Sequence, residues 1–188
     1  MNKKEEMLTA ALKLFAAEGY DNVGIQKIVK AVNVKKPTLY HYFGSKHGLL
    51  VALLDQHFEP FLKELQERAA YRGDITLTLE TIARAYFRFA TQFPEFYRLV
   101  LAMMYAPEES EVSKTMYPIL EKQYRILEQV FLQAEQDHGN MRGRSKHYTI
   151  TFLGMINSYI TSHYYDQITL TDKNAYVACK QYMHGIFS

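Results

Sequence analysis

The sequence predicts an all-α protein of about nine helices, and three observations carry that expectation. Apolar side chains recur at i, i+3, i+4 and i+7 through nearly all of the 188 residues. Strand-like alternation is scarce. Glycine, proline and Asn/Asp breaks fall about one helix length apart. With 48% apolar residues the chain can bury a sizeable core, as one large domain or as a small one joined to a larger.

Leu8, Ala11, Leu12 and Phe15 share one face of a first helix, which Gly19 stops. Ile25, Ile28, Val29 and Val32 repeat the pattern in a short second helix, from about 25 to 32. Asn33 follows, a residue that tolerates the left-handed backbone of a tight turn. A third helix over 36–43 is barely two turns long. Ser45 has N-cap chemistry for a long fourth helix running toward Ala70, where Arg72-Gly73-Asp74 marks a break. Later breaks at Phe93-Pro94, Ala106-Pro107, His138-Gly139 and Thr169–Asp172 delimit helices near 75–92, 95–105, 112–137, 142–166 and 173–187. There is no internal repeat and no low-complexity linker.

Charge is unevenly spread. Residues 1–50 hold 8 Lys/Arg against 4 Asp/Glu and the remainder 14 against 16, so a polyanionic partner is expected at the N-terminal end only. The longest apolar run, Leu99–Ala106, is far shorter than the roughly 20 residues of a bilayer crossing, so no membrane partner is expected. No secretory leader opens the chain, and Cys179 is alone, which fits a cytoplasmic protein.

The stretch "VKKPTLYHYFGSK" is too basic for a buried helix and too aromatic for an ordinary solvated one. Rotation by about 100° per residue puts Leu39 and Phe43 on one face, directed into a small core with Ile28 and Val32. Pro37, Thr38 and His41 lie opposite, flanked by Tyr40 and Tyr42. Two short helices around Asn33-Val34 have the size of a helix-turn-helix. On that reading Thr38 and His41 reach base edges, the Pro37 ring touches a thymine methyl, and Tyr40, Tyr42, Lys35 and Lys36 reach phosphates. Ser45-Lys46 would offer a helix N-terminus and an ammonium to the next phosphate. Gln26 and Lys27, exposed on the second helix, are further candidates for DNA contact.

Residues 5–54, with "AALKLFAAEGY", "IQKIVKAVNV" and "KKPTLYHYFGSKHGLL" in order, resemble the N-terminal domain of the TetR family of bacterial transcriptional regulators. The resemblance implies a helix-turn-helix domain over 1–45 and a larger helical ligand-binding and dimerisation domain over 46–188. It implies a homodimer that binds a palindromic double-stranded DNA operator, usually as a repressor, and is released by a small-molecule effector. By position it assigns base contacts to Gln26, Lys36, Pro37 and Thr38, and phosphate contacts to Tyr40, Tyr42 and Lys46. Gly24 and Lys35 depart from the family's usual capping residues, and Asn33 from a common glycine.

In the C-terminal two-thirds Tyr86, Phe89, Phe93, Tyr97, Met103, Met104, Tyr124, Phe152, Met155 and Tyr159 are candidates for lining a pocket. Such residues are ordinary core more often than not. Those lining a pocket would suit a mainly apolar or aromatic effector, with Arg84, Arg88 and Arg98 leaving room for an anionic group. Tyr148, Phe152, Met155, Tyr159 and Ser162, with Tyr176, Cys179, Met183 and Ile186, keep bundle spacing, so the last two helices are expected to pair with a second copy. His147, His163, Cys179 and His184 lack ligand spacing, so no metal or cofactor is expected. No nucleophile and base pair or phosphate loop stands out, and no enzymatic activity is expected. The alternative is a stand-alone small-molecule-binding or enzymatic helical domain that keeps the helix-turn-helix only as scaffold.

Overall fold

The structure, a computed structural model that describes residues 2–185, contains nine α-helices and one 3-10 turn among those residues. They are α1 (Lys3–Glu18), α2 (Ile25–Ala31), α3 (Lys36–Phe43), α4 (Lys46–Arg68), α5 (Ile75–Gln92), α6 (Pro94–Met104), α7 (Glu111–Asp137), the 3-10 turn Gly139–Met141, α8 (Ser145–Tyr164) and α9 (Asp172–His184). Helix α1 begins before its apolar pattern because Asn2 and Glu5 cap it reciprocally. The Glu5 N–H donates to Asn2 Oδ1 at 2.9 Å and the Asn2 N–H to Glu5 Oε2 at 3.0 Å. Helix α8 starts three residues later than expected, since the 3-10 turn and Gly143, at φ +73°, occupy the intervening chain. Helix α9 ends at Gly185, φ +69°, so Ile186 lies outside the described residues.

The helices gather into two compact units. The first holds the chain up to Pro60 together with Phe93–Pro118; the second holds Phe61–Gln92 and the chain from Ile119. In the first, α1 packs on α2 and α6. Met7, Leu8, Ala11 and Phe15 of α1 are buried, as are Ile28, Val29 and Leu39 of the two short helices. In the second, α8 and α9 pack on α5. Tyr86 is fully buried there with its hydroxyl accepting from Gln123 Nε2 at 2.6 Å, and Phe61 stacks on Phe89 at 4.2 Å. Burial, reinforced by the Glu80 carboxylate, pushes the Cys179 thiol up to about 12.

The seam expected to pair with a second copy is instead partly interior. Phe152 is fully buried, 5.3 Å from the Tyr182 ring, Tyr159 stacks on Phe87 at 6.0 Å, and Cys179 is buried on α9. These larger side chains fill the unit's own core. Exposed residues include Ile150, Thr151, Gly154, Ser158 and Thr161 on α8 and Tyr176 and Val177 on α9, alongside Lys146 and His147 on α8 and Lys173, Lys180 and Gln181 on α9.

In the first unit His57 lies among rings, 4.9 Å from Phe93 and 4.7 Å from Phe96, and burial lowers its pKa from the ordinary 6.5. The folded chain therefore resists taking up a proton that the unfolded chain accepts. Its share of stability is complete above pH 6.5 and falls as pH drops below that value toward the folded pKa. Denaturant melts at stepped pH should show a smaller loss of stability between neutral and mildly acidic buffer for His57→Phe than for the wild type. Equal losses would refute the assignment.

Candidate nucleic-acid interface

The candidate interface is built from two short helices and the turns at their ends. Gly24 caps α2 without a side-chain bond, and Asn33 takes φ +51° in the turn that follows. Lys35 then caps α3 in extended conformation and Pro37 occupies its first turn, where the missing N–H has no intrahelical partner to lose. Leu39 is fully buried and anchors α3. Phe43, expected beside it in the core, is only half-buried, with its ring 6.2 Å from Tyr42. With Leu39 already filling the space under so short a helix, Phe43 closes the edge.

Around that anchor, Lys35, Lys36, Pro37 and His41 are exposed, Tyr40 and Tyr42 are 47% and 43% exposed, and Thr38 is half-buried. His41 meets Tyr42 edge-on at 5.3 Å. Gln26 and Lys27 are exposed on α2, and the Lys27 ammonium donates to Glu18 Oε1 at 2.6 Å. The structure thus groups nine of the ten candidates on α2, α3 and the turn before α3. The tenth, Lys46, opens α4 and is half-buried.

Helix α4 is held tightly against the end of α3. Gly44, at φ +72°, turns the chain, and Ser45 Oγ accepts the Gly48 N–H at 2.9 Å, as an N-cap does. A Cβ on Gly48 would stand 1.9 Å from the Phe43 carbonyl oxygen, so only glycine permits this approach. The Lys46 ammonium donates to the Tyr20 carbonyl at 3.0 Å and lies 4.1 Å from the Tyr20 ring centroid. The Tyr20 hydroxyl donates to Glu111 Oε2 at 2.7 Å; burial, with Glu111 adding to it, raises the phenol's pKa. His47 Nε2 sits 2.8 Å from Thr115 Oγ1. Tyr20, His47 and Gly48 carry no sequence signal for these roles. Their partners lie 91 and 68 residues away in two cases, and in the third the partner is a backbone atom.

The ten pocket candidates are divided between the units. Phe93, Tyr97, Met103 and Met104 belong to the first; Tyr86, Phe89, Tyr124, Phe152, Met155 and Tyr159 belong to the second. Among the described residues no group of three His, Cys, Asp or Glu is placed to hold a metal ion, and no helix is long and apolar enough to cross a membrane.

A buried anchor beneath an exposed basic and aromatic helix, one turn after a second short helix, defines a helix-turn-helix module. Residues 7–53 match the model of bacterial regulatory proteins of the tetR family. It is 28% identical over 106 residues to the transcriptional activator FasR of Mycolicibacterium smegmatis, a match covering 56% of this chain and 48% of FasR. The chain thus spans about half the length of that relative. It is 25% identical over 131 residues to IcaR, the negative transcriptional regulator of the icaADBC biofilm operon in Staphylococcus epidermidis, covering 64% of this chain and 69% of IcaR. In fold it is similar to FadR of Bacillus subtilis, solved in complex with stearoyl-CoA, at TM-score 0.76, 19% identity, 98% of this chain and 100% of that one.

Two substitutions check this geometry. Gly48→Ala should destabilise the fold by about 1–3 kcal/mol, the usual cost of forcing extra atoms into a closed contact, and lower the melting temperature. A melt unchanged from wild type would contradict the close approach. Lys46→Ala should cost about 1 kcal/mol through loss of the tether to Tyr20, read by denaturant titration without any nucleic acid present.

Proposed function

We propose that the chain is a transcriptional repressor that binds a palindromic operator as a homodimer and leaves it when a small effector binds. The exposed face of α3, basic and phenolic around the single buried anchor Leu39, carries this reading. Residues 1–45 dock to DNA and 46–188 serve effector binding and dimerisation. Lys36, Pro37 and Thr38, with Gln26 from α2, contact bases; Tyr40 and Tyr42 reach phosphates on either side. Lys46, held by Tyr20 at the opening of α4, adds its charge to that helix's N-terminal dipole beside a further phosphate. The protein works in the cytoplasm and carries out no catalysis.

The exposed faces of α8 and α9, centred on Ile150, Tyr176 and Val177, form the homodimer interface, completing a four-helix bundle. The effector is mainly apolar or aromatic. Support comes from the buried rings and thioethers, and from the acyl-CoA bound in the FadR relative by fold. An effector that prefers the conformation unable to bind DNA moves the two α3 helices away from the roughly 34–36 Å spacing of successive major grooves. Repression is the direction proposed, in keeping with the negative regulator IcaR.

Selection from random duplexes should enrich an inverted repeat, and its affinity should fall steeply with salt as lysines release condensed counterions. Thr38→Ala should lose about 1–3 kcal/mol on the preferred sequence and relax preference at one base position per half-site. No enriched repeat, or equal binding of operator and scrambled duplex, would refute the reading.

A further inference from the structure

At one end of the second unit a cavity of about 240 Å³ opens between α5, α7, the 3-10 turn, α8 and α9. Its walls are mainly apolar and aromatic, with Leu79 from α5, Phe131 from α7, Met141 from the 3-10 turn and Tyr182 from α9, and Asn140 of the 3-10 turn adds an amide. The Tyr182 hydroxyl already donates to the Tyr148 carbonyl at 2.8 Å. No Lys, Arg, Asp or Glu lines the space. None of the ten pocket candidates named from sequence lines it, so it is a site apart from them.

One polar group in this wall is unexplained. His138 Nε2 is buried and has no hydrogen-bond partner. The residue cannot easily turn to find one by moving its backbone. Its N–H donates to the Ala134 carbonyl at 2.9 Å, closing α7, and its own carbonyl accepts from the Met141 N–H at 2.9 Å. A buried acceptor or donor left unpaired costs about 1–3 kcal/mol, and such groups call for a ligand or another explanation.

We propose that this cavity binds a small, neutral aromatic molecule that donates one hydrogen bond to His138 Nε2. The volume falls below the roughly 300–1,000 Å³ of drug-sized sites, which selects a single ring or a fused pair. Phe131, Tyr182 and Tyr148 offer ring faces and edges to such a guest. The absence of lining charges disfavours a carboxylate or phosphate, which would lose its water with no counter-charge in return. A neutral imidazole protonated at Nδ1 presents Nε2 as an acceptor, so an N–H or O–H on the ring system completes the site.

Indole is a suitable probe, because the chain has no tryptophan and its own emission leaves the indole signal clear. Titrated with the full chain in the absence of DNA, indole emission should shift to the blue and saturate at one per chain. The isomers 1-methylindole and 3-methylindole then isolate the hydrogen bond, since they match in atoms and only the second keeps its N–H. The 1-methyl isomer should bind about tenfold more weakly, and His138→Phe should weaken 3-methylindole similarly and erase the difference. Ile75→Phe, which enlarges a half-buried lining residue at the start of α5, should abolish saturable binding while leaving the thermal melt intact. Indole-3-acetate should bind more weakly than indole. Absence of saturable binding, equal affinity for the two isomers, undiminished binding to Ile75→Phe, or equal affinity for the acetate would each overturn the proposal. Should His138→Phe fail to fold, the isomer pair on the wild-type chain still decides. No step depends on operator binding, so failure here and failure of the repressor reading are separate results.

Discussion

Helix α3 is placed by a backbone contact that no side chain can share. At the α3–α4 junction the Phe43 carbonyl oxygen occupies the position where any residue other than glycine at 48 would carry its Cβ. Ser45 closes the same turn from its other side by accepting the Gly48 N–H, and Gly44 supplies the left-handed step between the helices. A helix of eight residues has little stability of its own, because nucleation consumes most of what its few hydrogen bonds return. Helix α3 therefore takes its position from this junction and from Leu39. The rest of its surface is free of structural duty and can be spent on lysine, phenol and imidazole.

The electrostatics of the first unit follow the same division. Glu5 and Glu6 stand in the first turn of α1 and complement its dipole, whereas α2, α3 and α4 have no acid in their first turns. Those three N-termini keep their positive ends. Lys35 and Lys36 add charge at one of them and Lys46 at another. Of the five other lysines in the first fifty residues, two are used internally: Lys3 pairs with Glu6 at 2.7 Å and Lys27 with Glu18. Three of the eight lysines in the first fifty residues thus stand at the N-termini of α3 and α4, which bulk composition alone does not reveal.

Helix number, order and most boundaries were legible in the sequence because they rest on local signals: apolar spacing, a Gly or Pro stop, Asn33 in a left-handed turn. The exposed face of α3 was legible for the same reason, since rotation from Leu39 along two turns leaves little freedom. What failed was contact between distant segments. Spacing on α8 distinguishes an apolar face from a polar one, yet both a monomer core and a partner use apolar faces, and Phe152 went to the former. The tether of Lys46 is not legible, because the Tyr20 carbonyl that accepts its hydrogen bond is a backbone atom in a loop 26 residues earlier. Phe43 read as core because periodicity ranks faces but not the depth available under a short helix.

The passages of the chain between the two compact units carry a further regularity. They fall at Pro60–Phe61, at Gln92–Phe93 and at Pro118–Ile119. Pro60 lies inside α4, Pro118 inside α7, and Pro94 opens α6 one residue beyond the second passage. A proline within a helix removes one i→i−4 hydrogen bond and crowds the carbonyl four residues back, so the ladders of α4 and α7 are each interrupted at a passage. At the second passage the chain breaks outright between α5 and α6, where Phe93 adopts a non-helical backbone. Three of the chain's five prolines therefore stand at or beside the points where the chain crosses from one unit to the other. Local bending at these points disturbs fewer backbone bonds than bending elsewhere in the same helices. The crossings thus fall where the helical hydrogen-bond ladders are thinned by proline, whereas Gly48 and Leu39 fix α3 within the first unit.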